Sequence, residues 1–187
     1  MTVLLGGMRL DEEPTAPVRA VLALGANLGE REATLQSALD SLAAYEGLHL
    51  EAVSPVFETS PVGGPEQPDY LNAVAIARTR LSPLALLAAC QEVEAEHGRA
   101  RIVRWGPRTL DVDIVSYGEI VASTPVLTLP HPRAAERAFV LVPWALLEPD
   151  AVLPGSRRRA KVRKLAAKAE DAPGLRLRED VVLEVGG

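Results

Sequence analysis

The sequence predicts an α+β fold of ferredoxin-like layout: an antiparallel sheet with helices on one face, plus a C-terminal helical extension. Three observations carry this. Apolar runs and helical stretches follow one another in the order strand, helix, strand, strand, helix, strand, which is that layout's order. The two intervening helices are well marked, one by an apolar stripe and the other by a start signal. The length of 187 residues suits one compact domain with trimmings, and 48% hydrophobic content suits a globular chain.

Residues 1–17 are polar, proline-bearing and without periodicity, so they read as a loose N-terminal extension. Val21-Leu22-Ala23-Leu24, ended by Gly25, is a buried strand. Leu35, Ala38, Leu39 and Leu42 stand at helical spacing and form the apolar stripe of a first helix. Residues 48–57 alternate loosely and predict a second strand, and TSPVGGPEQPD after them is turn chemistry. Residues 71–79 predict a third strand with Asn72, Val74 and Ile76 on one face. Ser82-Pro83 opens a second helix over 84–96, with Ser as cap, Pro at the first helical position and Gly98 beyond the end. Residues 109–117 form a fourth strand, and a last helical region lies between 133 and 147, interrupted at Pro143. The domain thus covers 18–155. Residues 156–187 are an appendage in which SRRRAKVRKLAAKAE reads as a basic helix and LRLREDVVLEVGG offers an edge strand.

Composition narrows the function classes. A net charge of −5 argues against a general nucleic-acid binder, which usually presents a basic face. No apolar run is long enough to span a bilayer and the first residues lack a secretory pattern, so neither membrane nor export is expected. Cys90 is the single cysteine, lies in the apolar stretch LLAACQEV and reads as a core thiol in a reducing cytoplasm. Against the acidic average, Arg99, Arg101, Arg104 and Arg108 fall in one short segment, and lysine occurs only at 161, 164 and 168.

Asp111 and Asp113 follow that arginine segment. Two apart on a strand, they project from one face roughly 7 Å apart, while Leu110, Val112 and Ile114 point the other way. Spacing alone leaves two readings open: a solvated pair bridged to arginine, or a site for a hard cation such as Mg²⁺ shared with phosphate oxygens. The neighbouring guanidinium groups favour the second, because phosphoryl transfer needs metal and fixed positive charge around moving phosphate oxygens. Trp105-Gly106-Pro107 in the same stretch suggests a loop of defined shape. No Walker-type GxxxxGK[ST] occurs, and Gly25-Ala26-Asn27-Leu28-Gly29 does not match GxGxxG. Nucleotide would therefore have to be held by arginine, metal and loop backbone.

The string RWGPRTLDVDI, residues 104–114, resembles the signature RWGPRTLDLDI of the dihydropterin pyrophosphokinases. LALGANLGERE, TSPVGGPEQPDYLNAV and LPHPRAAERAFVLVPW agree with the same family in order and spacing, so the resemblance covers about 20–154. Ile102-Val103 stand where relatives often carry charge, and Ser60 where a proline is often found.

The resemblance implies transfer of pyrophosphate from ATP to 6-hydroxymethyl-7,8-dihydropterin in folate biosynthesis, with two Mg²⁺ ions held by Asp111 and Asp113. It implies that Arg99 and Arg108 engage the phosphates in the chemical step and that Arg101 belongs to a mobile loop. It assigns the pterin to Tyr70 and Phe139, which sandwich the ring, with Asn72, Thr59, Val62 and Trp105 around it. Gln91, Glu94, His131 and Arg137 would line the ATP site, and the loops over 62–67 and 99–104 would close on the substrates. A monomer is expected, with a weak dimer left open.

Without the family, Phe139 reads as a core residue beside Val140 and Leu141, and His131 between two prolines as a structural histidine. Asn72 lies among apolar strand residues, where an unpaired amide would cost about 1–3 kcal/mol, so it needs a strand-capping contact or a ligand partner. Two other classes share this topology. An RNA-binding module would stack bases on sheet aromatics, which the two carboxylates, the net acidity and 4% aromatic content argue against. A ligand-binding regulatory domain would have no use for two metal carboxylates.

Overall fold

The structure is a computed structural model that describes residues 8–61, 63–98 and 109–186. Its elements are β1 (Val18–Ala26), α1 (Arg31–Ala43), β2 (Leu48–Val53), β3 (Phe57–Thr59), β4 (Tyr70–Thr79), α2 (Pro83–Glu96), β5 (Asp111–Tyr117), β6 (Ala122–Ser123), β7 (Thr128–Leu129), α3 (Ala138–Leu147), α4 (Val162–Ala166) and β8 (Arg176–Leu177). Six strands form one antiparallel sheet in the order β5-β1-β4-β3-β8, with β2 also on β4. The pairing of β5 with β1, β1 with β4, and β4 with β2 and β3 is the expected ferredoxin-like order.

The alternation of β1, β4 and β5 divides the sheet into two faces. Leu22, Leu24, Ala73, Ala75, Val112 and Ile114 share a buried cluster with Leu35, Leu39 and Leu42 of α1 and Leu86, Cys90 and Val93 of α2. Val21, Val74, Ile76 and Val115 face the other way and pack against Val140, Leu141 and Trp144 of α3 and Val162 and Ala166 of α4. Helices were expected on one face, and the second face carries these two as well. They pack over the end of the sheet near Val21 and Ile76, and α3 also reaches β3. Helix α3 is apolar nearly all round (AFVLVPWALL), so it needs a second apolar surface, and that end of the sheet supplies one.

The run over 48–57 forms two strands, because Pro55 has no amide to give the ladder. Ser54 carries the pairing across the break. Its amide donates to the Val74 carbonyl at 2.8 Å, and its Oγ accepts the Val74 amide at 2.9 Å. The N-terminal residues are packed from position 8 on: Met8 and Leu10 lie against the core, and the Leu10 carbonyl accepts the Leu84 amide at 3.0 Å. The basic C-terminal run is helical over only five residues. Before it the chain doubles back, with Val152 bridged to Lys161 and with Arg158 and Arg159 at φ 56° and 48°. Among the described residues no helix is long and apolar enough to cross a membrane.

Candidate active site

Asp111 and Asp113 lie on the second face, with Asp113 beside Arg137 and Val140 at the start of α3. Cross-strand pairing puts Gly25 opposite Asp111 and Ala23 opposite Asp113, and puts Asn72 on the far side of Gly25. The carboxylates and the Asn72 amide therefore flank a strip of β1 that carries almost no side chain.

The carboxylate strand is held from its outer edge. Glu94 of α2 is buried, and its Oε1 accepts the Val112 amide at 2.9 Å, on the peptide between the two aspartates. One oxygen of the group expected to line the ATP site thus anchors backbone. Behind the same strand Cys90 is fully buried; burial first and the field of Asp113 second push its thiol up to about 12.

His131 stands over Asp113, its Nε2 3.9 Å from Oδ2. The Arg133 amide donates to His131 Nδ1 at 3.2 Å, so a neutral ring carries its proton on Nε2, facing the carboxylate. Burial lowers the His131 pKa, with Arg137 and Arg133 acting the same way and Asp113 opposing them. Arg137, at the N-terminal cap of α3, is also depressed by burial and by Arg133, against the pull of Asp113 and Asp111. Its guanidinium lies 5.4 Å from the centroid of the Phe139 ring, within cation–π range. Asp171, from the C-terminal part of the chain, accepts the Ala138 amide at 2.9 Å and fixes the start of this helix.

On the other side of β1, Asn72 Nδ2 donates to Thr59 Oγ1 at 2.9 Å and to the Phe57 carbonyl at 3.3 Å. Both donors are used, so Oδ1 turns toward Gly25, where an added Cβ would lie 3.4 Å away. Tyr70 flanks the same space, its Cδ1 3.7 Å from that point. Asn27, in the turn after β1, donates to Gln67 Oε1 at 2.9 Å and to the Pro68 carbonyl at 3.1 Å, tying down the glycine- and proline-rich loop.

The structure therefore brings Asp111, Asp113, His131 and Arg137 together on one side of Gly25 and Thr59, Tyr70 and Asn72 on the other. Phe139 is half-buried on α3, whose contacts reach β3 and β4. Gln91 is exposed on α2, the helix of the opposite face. Val62, Arg99, Arg101, Trp105 and Arg108 lie outside the described residues. Sequence reasoning missed Gly25, which was legible only as part of a turn, and Glu58, whose partners come from distant segments.

The two aspartates fit a hard divalent cation. They offer oxygen donors from one face of a rigid strand, beside residues too small to fill the space. Among the described residues no group of three or more His, Cys, Asp or Glu side chains is placed to hold a metal by itself. A pair that shares its ion with substrate phosphates has no need of one.

The family model described as "7,8-dihydro-6-hydroxymethylpterin-pyrophosphokinase (HPPK)" matches residues 21–149. The chain is 47% identical over 139 residues to the 2-amino-4-hydroxy-6-hydroxymethyldihydropteridine pyrophosphokinase of Pseudomonas aeruginosa, covering 74% of this chain and 86% of that one. It is 45% identical over 172 residues to the protein of the same name from Mycobacterium leprae, covering 85% and 88%. Among solved structures it is similar in fold to Plasmodium falciparum HPPK-DHPS with pterin and p-hydroxybenzoate, at a TM-score of 0.66 and 15% identity. That match covers 85% of this chain and 44% of the other, so the chain spans less than half the length of that structure. Matched by the family model over residues 21–149, this chain belongs to the 7,8-dihydro-6-hydroxymethylpterin-pyrophosphokinase family.

Proposed function

We propose that this chain transfers pyrophosphate from ATP to the hydroxymethyl group of 6-hydroxymethyl-7,8-dihydropterin, yielding AMP and the pterin diphosphate for folate synthesis. The observation that carries this reading is the arrangement across Gly25. Two carboxylates stand on one side and a fixed amide with a tyrosine on the other, and the side-chain-free strip of β1 between them is the substrate bed of this reading.

In this reading Asn72 Oδ1 accepts from the polar edge of the pterin while Thr59 holds the amide in that orientation. Tyr70 and Phe139 cover the faces of the ring, a contact worth about 0.5–1.5 kcal/mol per aromatic pair beyond burial. Asp111 and Asp113 would hold two Mg²⁺ ions, which when bound neutralise charge on the phosphate oxygens. His131 and Arg137 line the nucleotide side, with Arg137 adding fixed positive charge, and Gln91 and the loop residue Arg101 are assigned to the nucleotide as well. Arg99 and Arg108 supply charge to the transferring group, and Val62 and Trp105 close over the pterin. The pterin alcohol oxygen bonds to the β-phosphorus and gives up its proton to solvent, the bond from that phosphorus to the α,β-bridging oxygen breaks, and AMP leaves. Positioning and electrostatics account for the rate. The single buried thiol suits a reducing cytoplasm, and the reading requires one chain only.

The test is an assay with ATP, Mg²⁺ and the pterin that separates AMP from ADP. AMP formed only when pterin and metal are both present is the expected result; ADP, or AMP independent of pterin, would overturn the reading. Asp111→Ala and Asp113→Ala should each lower turnover on the order of a hundredfold or more with the melting temperature kept. Near-normal turnover would remove the metal assignment.

A further inference from the structure

Strand β3 has three residues, yet it carries both groups that orient Asn72, the Phe57 carbonyl and Thr59 Oγ1. On its inner edge so short a strand is fixed by three residue pairs with β4. Its outer edge is covered by β8, which pairs Leu177 with Phe57 and Arg176 with Glu58. One residue further, the Arg178 amide donates to the Val56 carbonyl at 2.9 Å.

Glu58 lies opposite Leu71, so its side chain leaves the sheet on the α1 face while Phe57 and Thr59 point to the substrate bed. There it meets three arginines: Arg31 of α1 at 2.9 Å, Arg176 at 3.1 Å and Arg178 at 3.1 Å. Arg176 also reaches Asp69, the residue before Tyr70, at 2.6 Å, and Arg31 donates to the Asp69 carbonyl at 2.8 Å. Arg178 reaches Glu32 at 3.3 Å and Asp180 at 2.7 Å. Burial pushes the Glu58 carboxyl up, but the bonds from Arg176 and Arg31 outweigh it and hold the group ionised. The charge pairs thus tie the C-terminal segment to the strands that present Thr59 and Tyr70.

We infer that Arg176 and Arg178 are positioning residues for the pterin, acting through Glu58 to fix β3 and with it the Asn72 amide. The C-terminal segment, which the chemistry itself leaves without a role, becomes the back wall of the substrate bed. This rests on the pterin assignment of Asn72 and Thr59.

The test is the double variant R176A/R178A in the full chain, assayed for both substrates and followed by hydrogen exchange. The pterin KM should rise about tenfold while kcat and the ATP KM stay within about twofold, the pattern of lost binding rather than lost chemistry. R176K/R178K should restore most of the pterin KM, since the lysines keep the charge. A pterin KM within about twofold of wild type, or an equal rise for both substrates, would overturn the inference. If the wild-type chain gave no pterin-dependent AMP, the proposed function would fall instead. The positioning claim would then be read from the Phe57–Thr59 amides. Exchange about tenfold faster in the variant, with β1 and β5 unchanged, would support it, and unchanged exchange there would overturn it.

Discussion

At Gly25 the missing side chain does more than ease a turn. The residue sits inside β1, paired to Asn72 on one side and Asp111 on the other, and a methyl group there would meet Asn72 Oδ1 at 3.4 Å without a clash. Glycine within a strand costs about 0.5–1 kcal/mol relative to alanine, so its presence points to the space it leaves. Gly25→Ala should keep or slightly raise the melting temperature while raising the pterin KM by about tenfold or more, since the methyl group enters the bed. An unchanged KM would show that the ligand lies elsewhere. Cys90 is the opposite case, with both burial and a thiol held up near 12 giving it a packing role alone.

Helix α2 connects local sequence signals to the site at its two ends. At its start Ser82 Oγ accepts the Ala85 amide at 3.1 Å, Pro83 takes the first helical position, and Leu10 satisfies the Leu84 amide. Near its end Glu94 holds the backbone between the carboxylates. Ser82→Ala removes one cap bond and should cost about 1 kcal/mol in chemical denaturation, with the ATP KM unchanged. A cost near zero would mean that Leu10 and Pro83 suffice to start the helix. Helix α3 reaches the same end by a different route, its first amide capped by Asp171 from outside the segment.

The whole molecule is closed by its C-terminal segment. After β8, Val181, Leu183 and Val185 pack on the first core, and Glu184 exchanges two 2.9 Å bonds with the side chain of Gln36 on α1. The charge network beneath makes this closure sensitive to acid. Glu58 is held below its usual value, so the unfolded chain binds its proton more readily. Its contribution is complete above about pH 4.3 and is lost as pH falls through the lower folded value. Glu58→Gln should therefore melt below wild type near neutral pH, and the gap should close on acidification. A gap independent of pH would assign the effect to packing rather than charge.

Local periodicity and spacing determined much of this protein by themselves. The apolar stripe of the first helix, the Ser-Pro start of the second and the strands at 71–79 and 109–117 depend on neighbours in the chain, and their elements formed where expected. The common face of Asp111 and Asp113 follows from a two-residue period, and the ordered family blocks identified the fold's relatives. Other features depended on partners far along the chain. Asn72 was known to need a partner, but only the register of β3 on β4 selected Thr59 and the Phe57 carbonyl. Glu94 carries no local sign that it serves the Val112 backbone, nor Glu58 that three arginines converge on it. The basic run after 155 has helical composition, but pairing of Val152 with Lys161 turns its first half into a hairpin. Helix α3 is apolar nearly all round, and only the second face of the sheet around Val21, Val74 and Ile76 decided what it would cover. Secondary structure and the residue types of the site were legible because they follow from local period and spacing; the bonds that hold the site were not, because they close across the sheet.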